Sequence, residues 1–417
     1  MRILWITAMP IKNIASSQKL KSSGGWIGSM IHSLNNNKEV NKIQVLSIGN
    51  YKAFELIENN IEYIQIKAKG GVFSYNAKLK EKLDRYIDKF QPDIIDVQGV
   101  EFFIGNLVID NKNKTKIVFT LQGLVSQIWR KFFNDIDVYK VIRFNTFRGL
   151  FLNDSLVKRQ MKYKIRGENE EFLLKKGKYF LGRTGWDKFH CLGINENASY
   201  FYCGRNLREE FYTQQWEIKN VNRYQLFTTQ AHYPIKGLHI LLEAIHTLKK
   251  DYPEIKLIVA GKNFFNSKFI PKLKRTEYDI YLIRLIEKYD LKRNIEFTGW
   301  LNASELIDRL QKTHVFVCPS TIENSPNSLA EAQILGLPCV ASNVGGIPTY
   351  VEDNYSGLLY SNNDYVELSC QINEIFQNDQ LALRISNNAR QAAQIRHDKE
   401  NNAKDLFMAY KSILNEK

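Results

Sequence analysis

His314-Val315-Phe316-Val317-Cys318-Pro319-Ser320-Thr321-Ile322-Glu323-Asn324-Ser325-Pro326-Asn327-Ser328-Leu329-Ala330-Glu331 is the stretch from which the fold is read. Its first five residues are apolar and β-rich and are closed by Pro319, the mark of a short buried strand. Ser325 suits an N-cap, and Pro326 the first helical position, where a missing N–H costs nothing. Leu329, Ala332, Ile334 and Leu335 then mark an apolar helical face, ended by Gly336 and Pro338. The order is strand, loop, helix. The free N–H groups of such a helix start attract a phosphate or a sugar oxygen.

Two carboxylates flank that start. Glu323 lies in the loop and Glu331 nearly two turns into the expected helix, so both can face one ligand. Carboxylates accept hydrogen bonds in pairs, which suits vicinal hydroxyls of a ribose or hexose. An isolated Glu-x7-Glu would more commonly be a helix-end charge and a solvated glutamate. A second unit follows at once: Pro338-Cys339-Val340-Ala341-Ser342 as a strand, Asn343-Val344-Gly345-Gly346 as a tight turn, and Ile347-Pro348 as a helix start. Paired glycines there let backbone N–H groups approach a ligand closely.

The whole stretch resembles the donor-binding half of glycosyltransferase family 4, with its Glu-x7-Glu signature, Asn-Ser-Pro-Asn-Ser-Leu-Ala-Glu-Ala helix and Gly-Gly-Ile-Pro turn. The resemblance implies the GT-B fold, two doubly wound Rossmann-like domains facing a central cleft. It also implies Glu331 on the donor's ribose, Glu323 on a sugar hydroxyl, and Ser325, Asn327 and Ser328 at the donor-binding helix start.

The rest of the chain agrees with an α/β reading. Its 417 residues exceed one ordinary core, and 44% apolar residues suffice for two. Strands are expected at Arg2–Thr7, Ile43–Ile48, Ile61–Ile66, Ile94–Val97, Ile117–Leu121, Tyr179–Gly182 and Tyr200–Cys203, alternating with helices at Ala77–Phe90, Phe102–Asp110 and parts of 127–175. A second series runs through Leu226–Thr229, Ile255–Ala260, Asn294–Phe297, Val315–Cys318, Pro338–Ala341 and Gly357–Leu359. Alternation of this kind implies parallel sheets with ligands at the strands' carboxyl ends. The expected division is an acceptor-side domain over 1–205, a polar crossing at 206–223 and a donor-binding domain at 224–398. By the resemblance, a last helix in 399–417 returns to the first domain.

Charge and cysteines narrow the class. A net charge of +14 asks for a negative partner. No nucleic-acid motif is present, so nucleic acid is not expected. The basic stretch Lys158–Lys178, preceded by Trp129, Phe132, Phe133, Phe144, Phe147 and Phe151, fits either an interfacial helix on an anionic membrane or a solvated helix packing its aromatics inward. The five cysteines are scattered, without metal-ligand spacing, as expected of reduced thiols in the cytoplasm. No run of about 18 apolar residues occurs, and Met1–Thr7 is too short for a secretory leader.

The remaining site residues come from loops. Gly24-Gly25 opens a helix after the first strand, where a diphosphate or acceptor should sit. Lys236, in Gln230-Ala231-His232-Tyr233-Pro234-Ile235-Lys236-Gly237, is a mobile point charge suited to a diphosphate. By the resemblance it binds the donor's diphosphate, usually with an arginine five or six residues earlier. Ala231 and Gln230 stand there, leaving that contact to another group such as His232 or Arg183. The histidine turns of many relatives are replaced by Asp96-Val97-Gln98-Gly99 and Thr120-Leu121-Gln122-Gly123, which leaves Gln98 and Gln122 on the acceptor side. Glutamine hydrogen-bonds but does not shuttle a proton. Gly182-Arg183-Thr184-Gly185-Trp186-Asp187 is similar to a stretch of a bacterial polysaccharide branch, which places Arg183 on the donor side and Asp187 on the acceptor side.

The expected activity is metal-independent, retaining hexosyl transfer from a UDP- or GDP-linked sugar to a glycan or lipid-linked oligosaccharide. No cofactor beyond that co-substrate is expected, and Asp135-Ile136-Asp137 is read as part of a basic aromatic helix, not a metal site. The rivals are a non-catalytic GT-B subunit that binds a partner transferase or glycan, and a sugar-nucleotide epimerase on the same architecture. The first would explain the absent histidines and arginine; the second wants more acid/base groups than this chain offers.

Overall fold

The structure, a computed structural model, describes residues 1–9, 25–50, 52–68, 72–111, 115–134, 136–137, 139, 144, 146–151, 154–229, 232–264 and 275–416. It divides into two compact units. Unit 1 comprises Met1–Ser126, Lys164–Arg208 and Arg396–Lys417; unit 2 comprises Gln127–Tyr163 and Glu209–Ile395.

Unit 1 is built on β1 (Arg2–Thr7), β2 (Lys42–Gly49), β3 (Phe54–Glu58), β4 (Ile61–Lys67), β5 (Ile94–Gln98), β6 (Lys116–Thr120), β7 (Tyr179–Gly182) and β8 (Ser199–Tyr202). They form one sheet in the order β3-β4-β2-β1-β5-β6-β7-β8. Seven strands run parallel and β3 is antiparallel to β4. Helices cover both faces, so strands such as Ile3-Leu4-Trp5-Ile6 are apolar throughout. Leu4 and Ile6 pack with Leu79, Leu83 and Ile87 of the helix Ala77–Phe90. Ile3 and Trp5 pack on the other face with Ile27 and Ile31 of the helix Gly25–Asn35 and with Leu406, Phe407 and Tyr410 of the helix Lys399–Asn415. The strand β3 escaped the sequence reading because it is an edge strand with three exposed residues, and its pattern is too polar to register.

Unit 2 holds β9 (Gln225–Thr229), β10 (Lys256–Ala260), β11 (Ile295–Gly299), β12 (Val315–Cys318), β13 (Cys339–Ser342) and β14 (Leu358–Tyr360), in the order β11-β10-β9-β12-β13-β14. All its pairings are parallel. The chain order reverses at β9, where β10 leaves to one side and β12 to the other. In an open α/β sheet that switch point is where ligands bind.

The expected division of the chain needs three corrections. The segment 127–163 belongs to unit 2: Phe132, Ile136 and Leu156 are buried in one core with Leu238, Leu241 and Leu257. Asn134 Nδ2 donates to Pro234 O at 3.3 Å, and Arg284 lies over the Phe144 ring, 4.1 Å from its centroid. The region 206–223 is no free crossing either. From Glu209 onward it packs into unit 2, and buried Trp216 donates from Nε1 to Thr313 O at 2.7 Å. Unit 1 resumes at Arg396, a little before the expected 399. The aromatic stretch is therefore core in part. Phe132 and Phe144 are buried while Phe151 is exposed, and Ile136 and Asp137 are not helical. Asp135 lies outside the described residues. Among the described residues no helix is long and apolar enough to cross a membrane.

One buried polar chain ties the last helix to the sheet of unit 1. Trp5 Nε1 donates to Tyr410 OH at 3.0 Å, and Tyr410 OH donates to Asp96 Oδ2. Thr120 Oγ1 donates to Asp96 Oδ1 at 2.7 Å. Burial pushes the Asp96 carboxyl up from 3.8 to about 7, against the pull of hydrogen bonds from Tyr410, Thr120 and Gln98. The folded state therefore binds this proton more tightly than the unfolded chain. The stability it contributes is complete below about pH 3.8 and lost as pH rises through about 7. Asp96→Asn, neutral at every pH, is expected to lose stability at pH 5, where wild type holds the proton. The gap should narrow by on the order of 2 kcal/mol by pH 8. Denaturant melts at both pH values check this, and a pH-independent gap would contradict it.

Candidate functional site

Three loops meet at the carboxyl ends of β9, β12 and β13. The first turns through Pro234–Lys236 and leaves by Gly237 at φ 69°. A Cβ at Gly237 would collide with the Pro319 carbonyl, so the turn lies directly on the end of β12. Thr321 N donates to Ile235 O at 2.9 Å and locks the two loops. Gly345, at φ 53°, presses in the same way on the Glu323 carbonyl, and Gly346 N donates to that oxygen at 2.9 Å. This corrects the expected role of the glycine pair. The close approach serves the neighbouring loop, and Gly346 N–H is spent on protein.

The interlock sets two charges against each other. Lys236 Nζ donates to Glu323 Oε1, and Ser320 Oγ donates to the same oxygen at 2.9 Å. Burial disfavours the Lys236 ammonium, but the charge and hydrogen bond of Glu323 outweigh it, and its pKa is raised. Lys236 is thus cationic at any physiological pH. Cys318, one residue before Pro319, is pushed up to about 12 by burial, so it is a thiol and no nucleophile.

The helix begins one residue later than expected. Pro326 is the cap, with ψ of 110° keeping it outside the helix, and the helical run is Asn327–Leu335. Ser325 is therefore not the cap, and no side chain caps this end. The first N–H groups, from Asn327 and Ser328, have no acceptor within the helix by geometry. Glu331 lies little more than one turn in and is buried. Lys236, Glu323, Asn327, Ser328 and Glu331 thus belong to one short stretch of the sheet's ligand edge. Beside it, His232 lies between Tyr233 and Trp300. Burial first, then the charge of Lys262, lowers the His232 pKa to about 4, so the ring is neutral at pH 7. Gln230 and Ala231 lie outside the described residues.

The carboxyl edge of unit 1 is organised differently. Gln98 Nε2 donates to Thr120 Oγ1 at 3.3 Å, Gln122 Nε2 to Gln98 Oε1 at 3.5 Å, and Arg205 to Gln122 Oε1. Gln98, Asp96, Thr120, Arg183 and Arg205 line one small pocket. Arg183 therefore joins the glutamine expected on the acceptor side, within unit 1. Arg205 went unnoticed in the sequence because it abuts the stretch taken for a crossing, and Asp96 was quoted only as the start of the Gln98 turn.

Asp187 is corrected outright. It accepts from Arg183 N at 3.1 Å, Thr184 N at 3.3 Å and Tyr200 OH at 2.5 Å, and completes a capping box with Thr184 for the helix Gly185–Ile194. Fully buried, it shapes a helix and faces no acceptor. Gly25 is the first residue of its helix, and Gly24 lies outside the described residues. Among the described residues no three His, Cys, Asp or Glu side chains gather in a way that could hold a metal.

With this geometry stand the similarities to known proteins. Residues 210–392 match the family model of glycosyl transferases group 1. The chain is 29% identical over 181 residues to the D-inositol 3-phosphate glycosyltransferase of Corynebacterium urealyticum, a match covering 43% of this chain and 41% of that protein. It is 37% identical over 75 residues to the UDP-Gal:alpha-D-GlcNAc-diphosphoundecaprenol alpha-1,3-galactosyltransferase of Escherichia coli, covering 18% and 19%. The chain thus spans less than half the length of either relative. Sucrose-phosphate synthase of Thermosynechococcus elongatus shares the fold at TM-score 0.72 and 14% identity, with 99% of each chain covered. Residues 210–392 therefore form a glycosyl transferases group 1 domain, in a chain with the two-domain GT-B fold.

Proposed function

We propose that the protein is a retaining hexosyltransferase that uses a UDP- or GDP-linked sugar and acts on a glycan or lipid-linked oligosaccharide in surface-polysaccharide synthesis. The observation that carries this reading is the Lys236–Glu323 pair, set at the ends of β9 and β12 immediately before the helix start at Asn327. A nucleotide diphosphate needs a cation and a helix N-terminus at its phosphates, and carboxylates at its hydroxyls. This edge offers all three, with Glu331 for the ribose and Glu323 for the hexose. The acceptor class follows the lipid-linked substrate in the name of the Escherichia coli relative.

The chemistry needs no protein nucleophile. The acceptor hydroxyl attacks the anomeric carbon as the bond to the phosphate oxygen breaks, on the same face. The hydroxyl proton passes to the leaving diphosphate. The protein's part is to position the two and to neutralise charge as it grows on the leaving oxygen. Lys236 and the N–H groups of Asn327 and Ser328 supply that charge.

Gln98 and Gln122, in unit 1, are neutral hydrogen-bonding groups suited to orienting an acceptor hydroxyl. Their inability to take a proton favours, with the absent arginine, the rival reading, a non-catalytic subunit. We place the protein in the cytoplasm, in peripheral contact with an anionic membrane. Support for the contact is the helix Leu156–Lys176, where exposed Val157, Met161 and Ile165 alternate with exposed Lys158, Lys162 and Lys164.

A thermal-shift and hydrolysis screen of sugar nucleotides tests the reading. One nucleotide class should stabilise the wild type by roughly 2.7 kcal/mol at about a hundredfold excess over Kd. Lys236→Ala and Glu331→Ala should each abolish most of the shift. No binding by folded wild type would favour the subunit reading. Transfer should also persist in EDTA; activity lost there and regained with manganese would refute metal independence.

A further inference from the structure

Among the described residues at the ligand edge of unit 2, His232 is a titratable group to which the donor reading gives no defined role. It lies in the loop leaving β9, just before the Pro234–Lys236 turn. Its Nδ1 is buried and makes no hydrogen bond. The ring is 4.3 Å from the Tyr233 ring and 6.3 Å from the half-exposed Trp300 ring, centroid to centroid. Four charged groups from separate elements act on it. They are Lys262 beyond β10, Asp279 in the first turn of the helix Glu277–Lys288, Arg159 of the helix Leu156–Lys176, and Lys236.

Each of the three cations is braced by a carboxylate. Lys262 meets Asp279 at 2.7 Å, Arg159 meets Asp154 at 2.9 Å, and Lys236 meets Glu323. The cations are held in place, and burial first, then their field, keeps the imidazole uncharged at neutral pH. A buried ring nitrogen without a partner, among cations, is a poor arrangement for packing alone. It becomes a favourable one when a polyanion enters. The anion then accepts from the ring N–H, and its negative charge offsets the cations and favours the protonated ring.

We propose that His232 is a positioning residue for the donor's diphosphate and takes a proton from solvent as the anion docks. The inference rests on the donor reading above. When the nucleotide leaves, the ring returns its proton, so binding and release carry a proton with them. A ring that merely wedges between Tyr233 and Trp300 would take up none.

Isothermal titration of the full-length chain with UDP and with inorganic pyrophosphate, in two buffers of unlike ionisation enthalpy, decides the matter. Wild type should take up measurably more protons per UDP bound than His232→Gln. Its affinity should weaken about three- to tenfold more than the variant's between pH 6 and pH 8. His232→Lys, whose charge is fixed, should bind well with no excess proton uptake and a flatter pH profile. Equal proton counts and pH profiles for wild type and His232→Gln would overturn the inference while leaving the donor site standing. If His232→Gln does not fold, a wild-type pH profile in His232→Lys would overturn it. Failure of both probes to bind wild type would remove it together with the donor reading.

Discussion

Lys236 and Glu323 meet at the ends of two neighbouring strands, and neither charge would stay there unaided. An ammonium and a carboxylate taken partly out of water lose hydration that only close, hydrogen-bonded pairing restores. That pairing needs the Pro234–Lys236 turn to lie flat on β12, which needs Gly237 at positive φ against the Pro319 carbonyl. It also needs the Glu323 loop held from the other side, which Gly345 and Gly346 do. Asn134, from the segment 127–163, braces the turn by donating to Pro234 O. The ion pair, three glycines and a strap from the chain's first half form one mechanical unit, and the helix start at Asn327 is positioned by it.

The two sheets solve the ligand edge differently. In unit 2 the edge is made of charges in contact, fixed by backbone interlocks. In unit 1 it is a relay of neutral groups, Thr120, Gln98 and Gln122, that starts at Asp96 and ends at Arg205. A relay without a titrating histidine can direct a hydroxyl but cannot remove its proton. That suits a reaction in which the leaving group takes the proton.

The strands other than β3 were legible because apolar runs buried on both faces have few other readings, and their carboxyl ends followed from the alternation. The segment 127–163 was not legible. Of its buried residues Phe132, Ile136 and Leu156, the last lies twenty residues beyond the first pair, and the partners they choose are a hundred residues downstream. The glycine pair misled for a related reason. A turn that approaches something closely looks alike whether that something is a ligand or another loop. Asp187 could have been read correctly, since Thr184-x-x-Asp187 before a helix is a capping box and needs no ligand to explain it. The resemblance to a family stretch concealed the plainer local signal.

The bracing of Lys236 bears on how a leaving diphosphate would be stabilised. A free lysine would bind ground state and transition state nearly alike, which raises affinity without raising rate. Lys236 is instead shared with Glu323. In the ground state the phosphate oxygens compete for the ammonium against a carboxylate that Ser320 also holds. As the glycosidic bond breaks, negative charge gathers on the phosphate and the competition tips toward it. The interaction then strengthens most where the reaction is slowest, and no group has to be reorganised to achieve it. On the proposed chemistry, the carboxylate that competes with the phosphate is what makes Lys236 selective for the transition state.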